Sequence, residues 1–167
     1  MQKLLLAASA AALALGAAPA FAQDAGNFTG ARVGVSIGTG GNKVVDFDDQ
    51  TIGIEAGYDF DAGDVVVGLG AEYRTEFGKD FFDVNETALL GRVGVKAGTN
   101  ALVYGTGGYT RVSTGATPFG SNGDDGYRLG AGVEFGGPVS FKVEQRYSDY
   151  GNGVDGWQTV AGVNFRF

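Results

Sequence analysis

The stretch Ala161-Gly162-Val163-Asn164-Phe165-Arg166-Phe167 alternates between two kinds of side chain. Ala161, Val163, Phe165 and Phe167 share one face; Gly162, Asn164 and Arg166 share the other. Strict alternation marks a strand whose two faces meet different surroundings. In a water-soluble sheet the apolar face turns inward. Where the rest of the chain puts its charge decides between that arrangement and its inverse.

Upstream, alternating segments recur at steady spacing and predict strands near 28–38, 51–60, 65–77, 86–98, 101–112, 126–136, 139–149 and 157–167. Their connections alternate in length. Asp61-Ala62-Gly63-Asp64, Thr99-Asn100 and Gly137-Pro138 carry the residues that tight turns need. Longer polar loops fall near 39–50, 78–85, 113–125 and 150–156. Short turns at one end and longer loops at the other are the pattern of an outer-membrane barrel, with both termini on the periplasmic, short-turn side.

Parity then separates two faces. One carries Val33, Val35, Ile37, Ile52, Ile54, Tyr58, Phe60, Val65, Val67, Leu69, Tyr73, Val93 and Val95. It continues through Tyr104, Val112, Tyr127, Leu129, Val133, Phe135, Val139, Phe141, Val143, Tyr147, Trp157, Val163, Phe165 and Phe167. The other face carries Arg32, Glu55, Glu72, Arg74, Glu76, Arg92, Lys96, Arg111, Arg128, Glu134, Lys142, Glu144, Arg146 and Arg166. Glu86, at a strand start, belongs to neither with clarity, and each Asp falls in a loop, a turn or near a strand end.

An eight-stranded barrel encloses too little space for about two dozen large apolar side chains. Those residues must face lipid, and the charged set must face the lumen. An Arg or Lys on the lipid face would cost about 2–4 kcal/mol at the bilayer midplane. The expected fold is therefore an all-β, eight-stranded antiparallel transmembrane barrel with up-and-down connections. Aromatics fit two interfacial belts: Phe28, Phe60, Phe135, Phe141, Phe165 and Phe167 near the short-turn ends, and Tyr73, Phe77, Tyr127, Tyr147 and Trp157 near the loop ends.

The beginning of the chain reads as an export leader. Lys3 precedes an apolar stretch from Leu4 to Ala18, and Ala20-Phe21-Ala22 is a small-x-small cleavage pattern. Cleavage after Ala22 would leave residues 23–167 as one barrel domain. Losing Lys3 with the leader takes the formal net charge from −7 to −8, which disfavours nucleic acid as a partner. The chain has no Cys and no His, so disulfide scaffolds and Ser-His or Cys-His catalysis are excluded. Its 31 Gly, spread along the sequence, argue against helices.

Four stretches carry a family likeness: Val103-Tyr104-Gly105-Thr106-Gly107-Gly108-Tyr109, Leu129-Gly130-Ala131-Gly132-Val133-Glu134-Phe135, Val143-Glu144-Gln145-Arg146-Tyr147-Ser148-Asp149-Tyr150-Gly151 and the Gly-Val-Asn-Phe-Arg-Phe end. With them the chain resembles the small eight-stranded outer-membrane barrels of the opacity and porin-like group of Gram-negative bacteria. The resemblance implies that Val163, Phe165 and Phe167 form the signal read by the barrel assembly machinery. Adhesins of the opacity type carry longer loops than this chain has.

Glu72, Arg74 and Glu76, and likewise Glu144 and Arg146, share a face of one strand, as acid–base pairs do. Mixed signs in a narrow lumen read more simply as mutual ion pairing, and no catalytic role, cofactor or metal is expected. Gly34, Gly38, Gly53, Gly57, Gly68, Gly70, Gly94, Gly105, Gly107, Gly130, Gly132 and Gly162 should point inward, giving room to long side chains, and Gly68→Ser should be tolerated. The acidic loops suit contact with lipopolysaccharide through divalent cations. The expected protein is a monomer in the bacterial outer membrane, in contact with lipid and lipopolysaccharide. Its expected role is structural, with a largely plugged lumen. A narrow diffusion pore and a surface ligand binder or adhesin are the rival readings.

Overall fold

The computed structural model describes residues 28–40, 50–77, 84–114, 123–151 and 154–167. They form eight strands: β1 (Gly30–Thr39), β2 (Gln50–Ala62), β3 (Val65–Phe77), β4 (Val84–Lys96), β5 (Ala101–Thr114), β6 (Gly123–Gly136), β7 (Val139–Asp149) and β8 (Asp155–Arg166). Each pairs antiparallel with the next, and β1 pairs with β8, closing the barrel. Closure leaves no strand edge, so every ladder group can be satisfied within the sheet, as a bilayer requires.

The three short connections lie at one end. In the first, Gly63 adopts φ +79°, and its N–H donates to the Asp61 carboxylate at 2.8 Å. Gly supplies that left-handed conformation without a Cβ clash. The closing ladder is the shortest, with eight pairs from Arg32↔Arg166 to Thr39↔Thr159, against thirteen between β2 and β3. Beyond it, the Phe167 N–H donates to the Ala31 carbonyl at 3.0 Å.

Alternation places the apolar residues outside. Val35, Ile37, Leu69, Val93, Val103, Leu129, Phe141 and Val143 are all exposed on the outer surface. Arg32, Glu55, Glu72, Arg74, Arg92, Arg128, Glu134, Lys142, Glu144 and Arg146 are buried. This is a protein with its polar side chains in the middle.

β5 departs from the expected parity. Tyr104 and Val112 were expected to face lipid and Arg111, Gly105 and Gly107 the lumen; the structure exchanges them. Leu102, Tyr104 and Thr110 are buried, while Val103, Gly105 and Tyr109 are exposed. The ladder agrees, since Val112 pairs with inward Glu86 and Gly108 with inward Arg128. A one-residue error moves a whole strand's side chains to the other face, and Gly-rich strands specify their register weakly. Arg111, the strand's only charge, lies at its end, where its guanidinium reaches Asp125 on the outer face at 3.1 Å.

Candidate functional site: the charged lumen

Inward side chains form two levels. The level nearer the short turns is built on Asp59 of β2 and Glu134 of β6. Arg92 reaches Glu134 at 2.5 Å and Asp59 at 3.4 Å. Arg166, from the last strand, reaches the same two carboxylates at 2.5 and 3.3 Å. Arg32 pairs with Asp59 at 3.1 Å and Glu55 at 3.0 Å, and Lys142 also meets Glu55. Ser140 donates to Glu134 and accepts from Arg166 at 2.8 Å.

The second level is built on one carboxylate, Glu72 of β3. Arg74 donates to it through Nε at 3.0 Å, and Arg146 through Nη1 at 2.8 and 3.0 Å. Arg128 approaches it at 3.6 Å and also pairs with Glu86. Arg146 further binds Glu144 at 2.9 Å. Arg74 donates Nη1 to Thr51 at 2.8 Å and to Gln158 at 3.0 Å. Tyr104 joins the levels. Its hydroxyl donates to Glu144 at 2.9 Å, and the Arg92 guanidinium lies 4.2 Å from its ring centroid.

Charge-assisted hydrogen bonds are the strong ones. Buried ions repay their desolvation only when geometry and partners are good. Here the cations Arg32, Arg74, Arg92, Arg128, Lys142, Arg146 and Arg166 interleave with Glu55, Asp59, Glu72, Glu86, Glu134 and Glu144. Such a set pairs seven cations with six carboxylates across strands far apart in sequence. Among the described residues no group of three or more His, Cys, Asp or Glu side chains is placed to hold a metal ion.

Two expected lumen residues lie elsewhere. Arg111 is on the outside, as above. Lys96 has inward parity but sits at the short-turn rim, bonded to half-exposed Asp61 at 2.9 Å. Glu76 lines the opening at the long-loop end together with Arg74, Glu86 and Tyr150. Gly68 accommodates Asp59, because a Cβ there would overlap the Asp59 carboxylate. Gly68→Ser, expected to be tolerated, therefore requires the Asp59 carboxylate to shift.

Sequence reasoning missed Asp59, Glu86 and Tyr104. For Asp59 a signal existed: it keeps the parity of Glu55 and opposes that of Tyr58 and Phe60. Nearness to a strand end hid it. Phe28, expected in an outer aromatic belt, is fully buried inside the lumen.

On the outer face near the long loops, four tyrosines are each held by the following strand. Tyr73 donates to Asn85 at 2.7 Å, Tyr109 to Asp125 at 2.5 Å, Tyr127 to Asp149 at 3.2 Å and Tyr147 to Asp155 at 3.3 Å. Tyr147 also packs against Trp157, ring centroids 5.3 Å apart. Near the short turns, Tyr58 packs on Phe60, and Phe135, Phe141 and Phe165 are exposed. Phe165 and the half-exposed Val163 and Phe167, the expected assembly signal, end β8 at this rim. Ala20 and Ala22, the expected cleavage pattern, lie outside the described residues.

A closed barrel that is apolar outside, charged inside and ringed by aromatics is a membrane barrel of the bacterial outer-membrane class. The chain belongs to the outer membrane protein beta-barrel domain family, whose model matches residues 8–167. It is similar in structure to the N-terminal beta-barrel domain of Pseudomonas aeruginosa OprF, at TM-score 0.59 and 18% identity, covering 81% of this chain and 97% of that one. Ail, the attachment invasion locus protein of Yersinia pestis, gives TM-score 0.57 at 14% identity, covering 86% and 100%. Neisserial surface protein A gives TM-score 0.57 at 15% identity, covering 82% and 96%. At these identities the likeness is one of fold. No curated protein matches the chain.

Proposed function

We propose that this protein is a structural barrel of the Gram-negative outer membrane, with a lumen filled by its own paired charges and no enzymatic activity. The observation that carries the reading is the set of seven buried cations interleaved with six carboxylates at two levels. Bulky guanidinium groups fixed on both sides leave little for a solute to pass. On this reading the protein supports membrane integrity and touches lipid and lipopolysaccharide as a monomer. The leader is removed after Ala22, and the Val163, Phe165, Phe167 end is read by the assembly machinery. Planar-bilayer recording tests the central claim. The wild-type protein should give little or no current, and a steady open-channel current would replace this reading by a diffusion pore. Mass measurement of the outer-membrane form tests cleavage, with residues 23–167 expected.

A further inference from the structure

Phe28 stands just ahead of β1 on the parity of inward Arg32, although the sequence analysis places it in the aromatic rim with Phe135, Phe141 and Phe165. Instead its ring turns into the mouth of the lumen at the short-turn end. It is fully buried against Val66 of β3 and Leu102 and Tyr104 of β5. The Arg166 guanidinium, from β8, lies 5.3 Å from its ring centroid. That guanidinium also holds Asp59 and Glu134, so the ring caps the first charged level directly.

Its backbone is set at φ +73°, and Phe28 is the only non-Gly described residue with positive φ. A residue with a Cβ keeps that conformation only where its surroundings impose it. Gly30, two residues on, is at φ +99°. At the same short-turn end, the turn region of Ala62 and Gly63 is exposed. Inside come ions whose pairing depends on exclusion of water.

We propose that Phe28 is an intramolecular stopper that closes the short-turn mouth of the lumen and keeps water from the Asp59–Glu134 level. The proposal deepens the charge-filled reading and rests on it for the lumen beyond the mouth. A stopper is separable from core packing by what it does to access. An aromatic that merely stabilises the wall could be lost without exposing what lies behind it.

The chain has no Cys, so a single introduced thiol reports without background. Val66→Cys places one at a buried position packed with the ring, and Ala62→Cys places one in the open turn. With Phe28 present, a bulky charged maleimide should label Val66→Cys at least tenfold more slowly than Ala62→Cys in the folded, detergent-solubilised barrel. Equal rates overturn the proposal without any change at position 28. Adding Phe28→Gly, which suits the positive φ, should bring the Val66→Cys rate to within about threefold of the Ala62→Cys rate. Phe28→Leu, which restores bulk, should keep it slow. An unchanged rate in a Phe28→Gly barrel that still shows its folded gel mobility also overturns the stopper. Bilayer current from Phe28→Gly separates the two readings. Fast labelling with electrical silence supports both; fast labelling with current supports the stopper and overturns the charge-filled lumen.

Discussion

The two charged levels solve one problem in different ways. Near the short turns, Asp59 and Glu134 share Arg92 and Arg166 between them, so each cation has two carboxylates. Near the long loops, Glu72 meets Arg74, Arg128 and Arg146 together; Arg128 also has Glu86 and Arg146 also has Glu144, while Arg74 is paired with Glu72. The first level has redundancy, whereas the second has a hub. An ion network's resistance to damage follows how many independent partners each buried charge has, because a cation left alone costs its full desolvation.

Removing the hub should therefore do the most harm. Glu72→Gln is expected to destabilise the barrel by about 3–5 kcal/mol, the scale for breaking a buried pair. Urea unfolding in lipid vesicles, followed through the single Trp, measures this directly. A loss below about 1 kcal/mol would erase the distinction between the levels. Next comes a charge placed on the wrong face of the same strand: Leu69→Arg should cost about 2–4 kcal/mol or block insertion. Should the folded yield and stability of Leu69→Arg match wild type, the outer face would not be in lipid.

The shared level should suffer less. Glu134→Gln keeps an accepting oxygen and leaves Asp59 facing both arginines, so about 1–3 kcal/mol is expected, as for a buried polar group left partly unsatisfied. If it equals or exceeds Glu72→Gln in the same assay, the redundancy argument fails. Smallest of all should be Arg111→Ala, which breaks a rim pair in which the side chains are 29% and 57% exposed. An effect of about 0.2–1 kcal/mol is expected there. A loss as large as that of Glu72→Gln would return Arg111 to the lumen.

How far the sequence reveals this arrangement depends on how many charges a strand carries. β3 has Glu72, Arg74 and Glu76 on one parity and Val67, Leu69 and Tyr73 on the other, so its faces are unmistakable. β5 has Arg111 alone. Its Gly105 and Gly107 add no face preference, and an aromatic at Tyr104 suits lipid as well as it suits a buried carboxylate partner. The strand bounds were readable to within about three residues, because turn residues and alternation mark them independently. Partners across the lumen were not readable, since parity gives a face and leaves open which levels meet. Arg146 and Glu72, 74 positions apart, come together only through the barrel's closure.

The four tyrosines tied to neighbouring strands have a further consequence. They stand on β3, β5, β6 and β7 and reach partners as far as β8, whereas the outward long-loop ends of β1 and β2 carry Ile37, Thr39, Gln50 and Ile52, with no aromatic among the described residues there. Interfacial aromatics fix the depth at which a membrane protein rides. Among the described residues, the interfacial aromatics of the long-loop end therefore lie on the β3–β8 side and none on the β1–β2 side. In a bilayer thinner than its apolar band it should relieve hydrophobic mismatch by leaning, with β1 and β2 as the side that moves through the headgroups.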